Sequence, residues 1–482
     1  MKMSSLEKSQ RDRVSPGPQG LGSGVSNIPG VSSARSETVT QRSRLKTASY
    51  TLGQRASFWV SAGVVGHTLW MGAAPSMTYP IYAAQWHLTP TVTAAIFAVY
   101  PLMVAVVLTS FGDVSDYVGR RVTMLLGLSA SLLGALIFAV APNVAWLFAG
   151  RAFMGIGVGL SVGPSAAAMV EFSAASQSKR ASSITTAAQA LGFASALLIG
   201  GALIEYAPLP ARLSFCVLCV ILVALFVAAW FLPRQTAHET LTRWRFKAPS
   251  MPVGTRKTFV VSAMAVTTAY THGAVIPSLG AQVAQDLVRS TNVLVNGAAL
   301  SLFAIVAGVV GILARPLPSR VSMSLGALAS TGAMILLASS VADHRLLLFL
   351  MATATAGVGY SLLFLGGLQG INAAAPAEHR GGTLSMLYLV AYLAMGSVAS
   401  LLGVVATACG LKVAIDLGAG AIALLCGVTI VLVASTRTSR LERSSLRTAG
   451  SLVHDRPTTH WHGNVRNPQP PESHLVGWRR QR

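Results

Sequence analysis

Gly112-Asp113-Val114-Ser115-Asp116-Tyr117-Val118-Gly119-Arg120-Arg121 lies between two long apolar runs, residues 92–111 and 122–141. Each run is long enough to cross a bilayer, because a spanning helix needs about 20 consecutive apolar residues. A connector this short makes the two helices antiparallel neighbours. It also sets two carboxylates beside two guanidiniums at a membrane surface. Gly112 and Gly119 allow the tight backbone approach and positive φ that such a turn uses.

Ten further apolar runs surround this pair. The twelve expected spans are 59–83, 92–111, 122–141, 145–170, 183–204 and 213–232, then 258–281, 292–314, 321–341, 346–371, 383–408 and 413–434. The composition agrees, since the chain is 52% hydrophobic and only 11% charged, against about 25% charged residues in soluble domains. Residues 1–57 and 435–482 are polar and basic, each holding nine Lys/Arg against three acids. The first segment is expected to be disordered. Much of the formal +21 therefore sits in tails, where it suits anionic lipid headgroups and not nucleic acid. Residues 233–257 are polar and read as a linker. The expected organisation is a basic tail 1–57, a six-helix bundle 58–232, the linker, a second six-helix bundle 258–434 and a basic tail 435–482.

With twelve spans, both tails share one side. The loops on that side carry thirteen Lys/Arg and those opposite carry four. Positive loops stay cytoplasmic, so both termini and the organising turn are expected to be cytoplasmic. The expected location is the inner or plasma membrane, as a multi-pass protein. A repeat at about 200 residues supports two related halves. Gly157-Val-Gly-Leu-Ser161 recurs as Gly357-Val-Gly-Tyr-Ser361, and Arg180 has its counterpart in Arg380. Repeated six-helix halves are found in many secondary transporters.

The organising turn resembles the signature turn of the major facilitator superfamily, Gly-x-Leu-Ala-Asp-Arg-x-Gly-Arg-Lys/Arg. Gly112, Asp116, Gly119, Arg120 and Arg121 match it, Tyr117 replaces an Arg, and Asp113 is an added acid. The resemblance covers about residues 58–434. It implies an all-α integral membrane fold with 12 transmembrane helices in two pseudo-symmetric six-helix bundles, working by alternating access. It further implies that Glu171 and Arg180 join Gly112, Asp113, Asp116, Gly119, Arg120 and Arg121 in a cytoplasmic gate. Arg151-Ala-Phe-Met-Gly-Ile-Gly-Val-Gly looks like the family's fourth-helix motif, whereas Gly192 to Gly201 keeps only the glycine frame of the drug–proton antiporter motif.

Arg151 sits six residues into its run, so it either snorkels outward or meets a polar partner or substrate inside. All fifteen Asp/Glu lie in tails, loops or helix ends. His67 and His272 are then the mid-membrane titratable groups and the candidates for proton coupling. Trp70, Gln189, Tyr270, Tyr360, Gln369, Tyr388 and Tyr392, with His67, His272 and Arg151, form the expected substrate-binding set. Tyr79 and Tyr82 read instead as interfacial anchors. The mixture suits a small amphipathic organic compound.

Cys216 and Cys219 have C-x-x-C spacing but lie in an apolar run, where a redox or metal role has no accessible polar setting. No metal site, catalytic group or cofactor is expected, and no phosphate-binding glycine loop appears. The expected protein is a monomeric antiporter of the efflux type that exchanges a small molecule for protons. Proton-coupled uptake of a metabolite, or a non-transporting receptor with the same bundle, is the alternative.

Overall fold

The structure, a computed structural model, describes residues 51–112, 114–173, 178–233, 255–287, 292–374 and 380–454. Fourteen α-helices and no strands occur among the described residues. In chain order they are α1 (Gln54–Ala73), α2 (Tyr79–Trp86), α3 (Pro90–Phe111), α4 (Val114–Val118), α5 (Arg120–Ala139), α6 (Val144–Glu171), α7 (Ser178–Tyr206), α8 (Pro210–Trp230), α9 (Arg256–Gln282), α10 (Val293–Leu313), α11 (Ser319–Asp343), α12 (Leu346–Ala374), α13 (Arg380–Cys409) and α14 (Leu411–His454). Eleven are long and apolar enough to cross a membrane. The first crossing is α1 continued through a 3-10 turn, Ala74–Met77, into α2. That makes twelve crossings.

Two boundaries differ from expectation. The first span, expected as one helix over 59–83, is broken at Ala74, because Pro75 cannot donate to the helical ladder. The last helix, expected to end at 434, continues to His454. Residues 1–50 of the N-terminal tail, most of the 233–257 linker and the tail beyond 454 lie outside the described residues.

Starts and stops follow local chemistry. Thr89, Asn143 and Asn292 accept from backbone N–H groups of α3, α6 and α10, as N-cap side chains do. Proline opens α3 and α8, where its missing N–H costs nothing. Large apolar side chains such as Leu126, Leu328, Leu401 and Leu424 remain exposed, as lipid-facing positions require.

Within each half, small residues bring helices together. α5 packs along α6 and α11 along α12. A Cβ on Gly157 would collide with Ser131, and one on Gly359 would collide with Ser330. Ser131 and Ser330 thus occupy equivalent places in the two halves. The packing pairs Gly157 with Gly359, two residues beyond the Gly357 that matches it in the sequence repeat. A serine hydroxyl needs a bare backbone opposite it, and this steric demand sets the register.

Two helix pairs join the halves, α3 with α13 and α7 with α10. Both pairs are in contact at the end that carries Pro90, Tyr206, Val293 and Cys409, and α7 and α10 stay close further along, where a Cβ on Gly308 would meet Ala190 at 2.5 Å. At the Pro90 end Thr91 donates to the Gly403 carbonyl at 3.2 Å and to Thr407 Oγ1 at 2.7 Å. A Cβ on Gly403 would strike Ala94 and approach the Pro90 carbonyl oxygen to 2.8 Å, whereas one on Gly396, seven residues deeper, would meet its nearest neighbour at 3.5 Å. α3 and α13 therefore diverge toward the end that carries the Gly112–Arg121 turn.

Candidate functional site

The turn is built around one strained position. Gly119 has φ +94°, a region closed to most side chains, and it lets α5 start immediately after α4. Arg120 then forms an ion pair with Glu171 at the end of α6. Arg121 donates from Nη1 to the Leu232 carbonyl at 3.1 Å and stacks over Trp230 at 5.6 Å. A cation at the end of α8 satisfies both an orphan carbonyl and the helix dipole. The turn thus pins α5 to α6 and α8 within its own half. Gly112 follows α3 and is exposed. Asp113, and the side chains of Asp116 and Arg180, lie outside the described residues.

An aromatic wall occupies the middle of the second half. Tyr270 of α9 lies with its ring centroid 4.9 Å from Tyr392, 5.9 Å from Phe364 and 6.4 Å from both Tyr360 and Tyr388. Tyr360 stacks on Phe364 at 5.9 Å and meets Phe303 of α10 edge-on at 5.4 Å. The i,i+4 spacings Tyr360/Phe364 and Tyr388/Tyr392 put each pair on one helix face. Tyr270, Tyr360, Phe364, Tyr388 and Tyr392 all stay partly exposed although each sits mid-helix. Trp70 of α1 packs against the hydrophobic cores of both halves. Tyr392 and Met395 of α13 reach the core of the first half. The wall therefore stands where the halves meet.

Gln369 donates to the Arg315 carbonyl at 3.2 Å, toward the turn end of α12. Gln189 is half-buried on α7. His67 is buried, bonds the Val64 carbonyl through Nδ1 and lies 3.3 Å through Nε2 from Ser131 Oγ. His272 is buried and lies 3.0 Å through Nδ1 from Ser330 Oγ. Each histidine thus faces the serine of its own half. Arg151 does not snorkel: it is fully buried, donates from Nη1 to the Met71 and Gly72 carbonyls at 3.2 and 3.4 Å, and from Nη2 to Phe97 at 3.4 Å.

Tyr79 and Tyr82, expected as interfacial anchors, are both buried. The break at Ala74 folds α2 inward, so that Tyr82 donates to the Phe138 carbonyl at 3.4 Å. Sequence reasoning also passed over Phe303 and Phe364, because it weighed only aromatics with polar atoms. The spacing of four from Tyr360 to Phe364 was the available signal. Glu205 was read only as a helix-end acid. Its carboxylate accepts from the Val293 N–H at 2.8 Å and from Asn292 Nδ2 at 3.4 Å, so an acid of α7 caps α10 across the junction of the halves.

A twelve-crossing bundle in two halves, with a pinned charged turn at one end and an aromatic wall where the halves meet, defines a membrane transporter. The chain belongs to the Major Facilitator Superfamily, whose family model matches residues 59–399. It is 30% identical over 129 residues to the "Multidrug efflux pump LfrA" of Mycolicibacterium smegmatis, a match spanning 26% of this chain and 25% of that one. The chain thus covers about a quarter of that relative's length. Among solved structures, the crystal structure of the POT family transporter PepTSo superposes with a TM-score of 0.67 at 13% identity, covering 80% of this chain and 99% of that one. A crystal structure of a mutant peptide transporter POT gives a TM-score of 0.61 at 16% identity, covering 80% and 94%. At these identities the two structures show the shared fold. Membership of this family points to transport of small molecules and away from enzymatic catalysis.

Proposed function

We propose that this protein exports a small aromatic organic compound from the cytoplasm across the cell membrane, in exchange for protons. The observation that carries this reading is the wall of Tyr270, Tyr360, Phe364, Tyr388 and Tyr392, partly exposed at mid-helix and holding no charged side chain. Ring faces and phenol hydroxyls bind planar organic molecules by stacking and hydrogen bonding. The partial match to a multidrug efflux pump supports the direction.

In this reading both termini and the Gly112–Arg121 turn face the cytoplasm, and the protein acts as a monomer in the bilayer. The closed Pro90 end is then the outer end, and the structure is an inward-facing state ready to take substrate from inside. Asp116 and Arg180 join the Arg120–Glu171 pair when the inner ends close. His67 and His272 carry the proton coupling. Each has one ring nitrogen on a serine hydroxyl, and Nε2 of His272 has no partner among the described residues, so it can accept a proton.

The test is flux in liposomes holding the purified full chain, with an imposed pH gradient and a fluorescent aromatic dye as probe. Uptake against the dye gradient should follow the proton gradient and weaken with Tyr270→Ala. His67→Gln and His272→Gln should each uncouple accumulation from the gradient while leaving counterflow exchange intact. Dye movement that ignores the pH gradient in the unmodified protein would contradict proton exchange.

A further inference from the structure

Proline withholds the N–H that an α-helix uses for the carbonyl four residues earlier. Pro75 therefore leaves the Met71 carbonyl without its helical donor. The Gly72 carbonyl lies at the same break, where the helix passes into a 3-10 turn. Pro101, inside α3, leaves the Phe97 carbonyl. The Met71 and Phe97 acceptors are orphaned at membrane depth, where no water replaces a missing donor.

Arg151 reaches both of these carbonyls, and the Gly72 carbonyl beside the break. Nη1 donates to Met71 at 3.2 Å and to Gly72 at 3.4 Å, and Nη2 donates to Phe97 at 3.4 Å. The guanidinium carbon lies 4.6 Å from the Tyr100 ring centroid and 5.5 Å from that of Phe97, so its charge rests on aromatic rings and no acid. One planar fork with five donors can reach two helices at once, which a lysine ammonium on a single stem cannot match.

We propose that Arg151 is a positioning residue whose guanidinium replaces the N–H groups withheld by Pro75 and Pro101, and so ties the break in α1 to the interrupted ladder of α3. Both segments meet the other half. The 3-10 turn after α1 packs on α9, and Pro101 lies 3.6 Å from where a Cβ on Gly396 of α13 would stand. The clamp thus fixes the first half's side of the junction. It explains a buried charge with no ion-pair partner among the described residues, and it does not depend on the nature or direction of the transported compound.

The test is a mutant cycle on the full chain, purified in detergent and followed by its unfolding midpoint. A single cysteine at Met395, with the native cysteines replaced, reports the junction by its labelling rate. Arg151→Met should lower the midpoint and change the labelling rate. Pro75→Ala with Pro101→Ala restores the missing donors, so adding both to Arg151→Met should raise the midpoint and return the labelling rate toward its starting value. The same two changes in the Arg151 background should bring no such gain, because the carbonyls are already satisfied. Such non-additivity is the signature of a shared network. Arg151→Lys should fall between Arg151 and Arg151→Met. If the proline substitutions shift the midpoint and the labelling equally with and without Arg151, the clamp is wrong. Should Arg151→Met fail to insert, the cycle run on Arg151→Lys decides by the same comparison.

Discussion

Removing the Glu205 carboxylate should loosen the Pro90 end of the molecule. Glu205 belongs to α7 and its acceptors serve α10, so the contact exists only while this end is closed. Its Oε2 takes the Val293 N–H at 2.8 Å, and Asn292 Nδ2 reaches the other oxygen at 3.4 Å. Asn292 itself caps Val295 at 2.9 Å, leaving the first N–H of α10 to Glu205. A negative charge beside an exposed helix N-terminus is worth about 0.3–1 kcal/mol. A hydrogen bond to a charged group adds to that, but both partners are exposed and regain water when parted. A net loss of about 1 kcal/mol corresponds to a roughly fivefold change in the closed-to-open ratio. In Glu205→Ala, a single cysteine at Met395 should therefore react about fivefold faster with an impermeant maleimide applied from the Pro90 side. Glu205→Gln keeps an acceptor without the charge and should show a smaller increase. Unchanged labelling in both variants would refute the argument that this carboxylate holds the end closed.

The remaining expectations concern packing and the turn. Gly119→Ala forces a side chain into φ +94° with ψ 144° and should destabilise the protein by about 1–3 kcal/mol, measured as a lower unfolding midpoint with insertion retained. Glu171→Gln should cost under about 1 kcal/mol of stability, because the pair with Arg120 is half-exposed; the swapped pair Arg120→Glu with Glu171→Arg should recover turnover that Arg120→Glu alone loses. Gly403→Leu adds bulk where even a Cβ would strike Ala94, so it should favour the state open at the Pro90 end and raise Met395-site labelling from that side. Tyr270→Ala and Tyr392→Ala should raise the KM for an aromatic dye several-fold with little change in unfolding midpoint, since both rings are partly exposed.

Hydropathy and charge made the fold legible. Run lengths near 20 residues, an even number of crossings and a basic bias on one side come from the bilayer itself and need no knowledge of packing. The organising turn was legible because its residues act locally. Glu171, distant in sequence, pairs with Arg120 because α5 and α6 pack side by side. Details set by contacts between distant helices were not legible. The break at Ala74 could be read as a proline effect, but what answers its orphaned carbonyl is Arg151, 80 residues away. Polarity at mid-membrane marked His67 and His272. Which face of each helix turns toward Ser131 or Ser330 depends on packing that one chain's periodicity does not fix. The aromatic wall was half-legible: its tyrosines were named, while Phe303 and Phe364 join it through tertiary neighbours.

The central claim is that the halves of this bundle alternate access to the aromatic wall and couple that movement to protons. Its most direct test follows an aromatic dye and pH together in the same liposomes, with the full chain reconstituted and no imposed dye gradient. The account predicts that an imposed proton gradient drives the dye against protons, and that a dye gradient imposed in turn drives protons the opposite way. Tyr270→Ala should weaken both movements in parallel. Dye and protons moving independently of each other, or neither moving while the protein is folded and inserted, would contradict it.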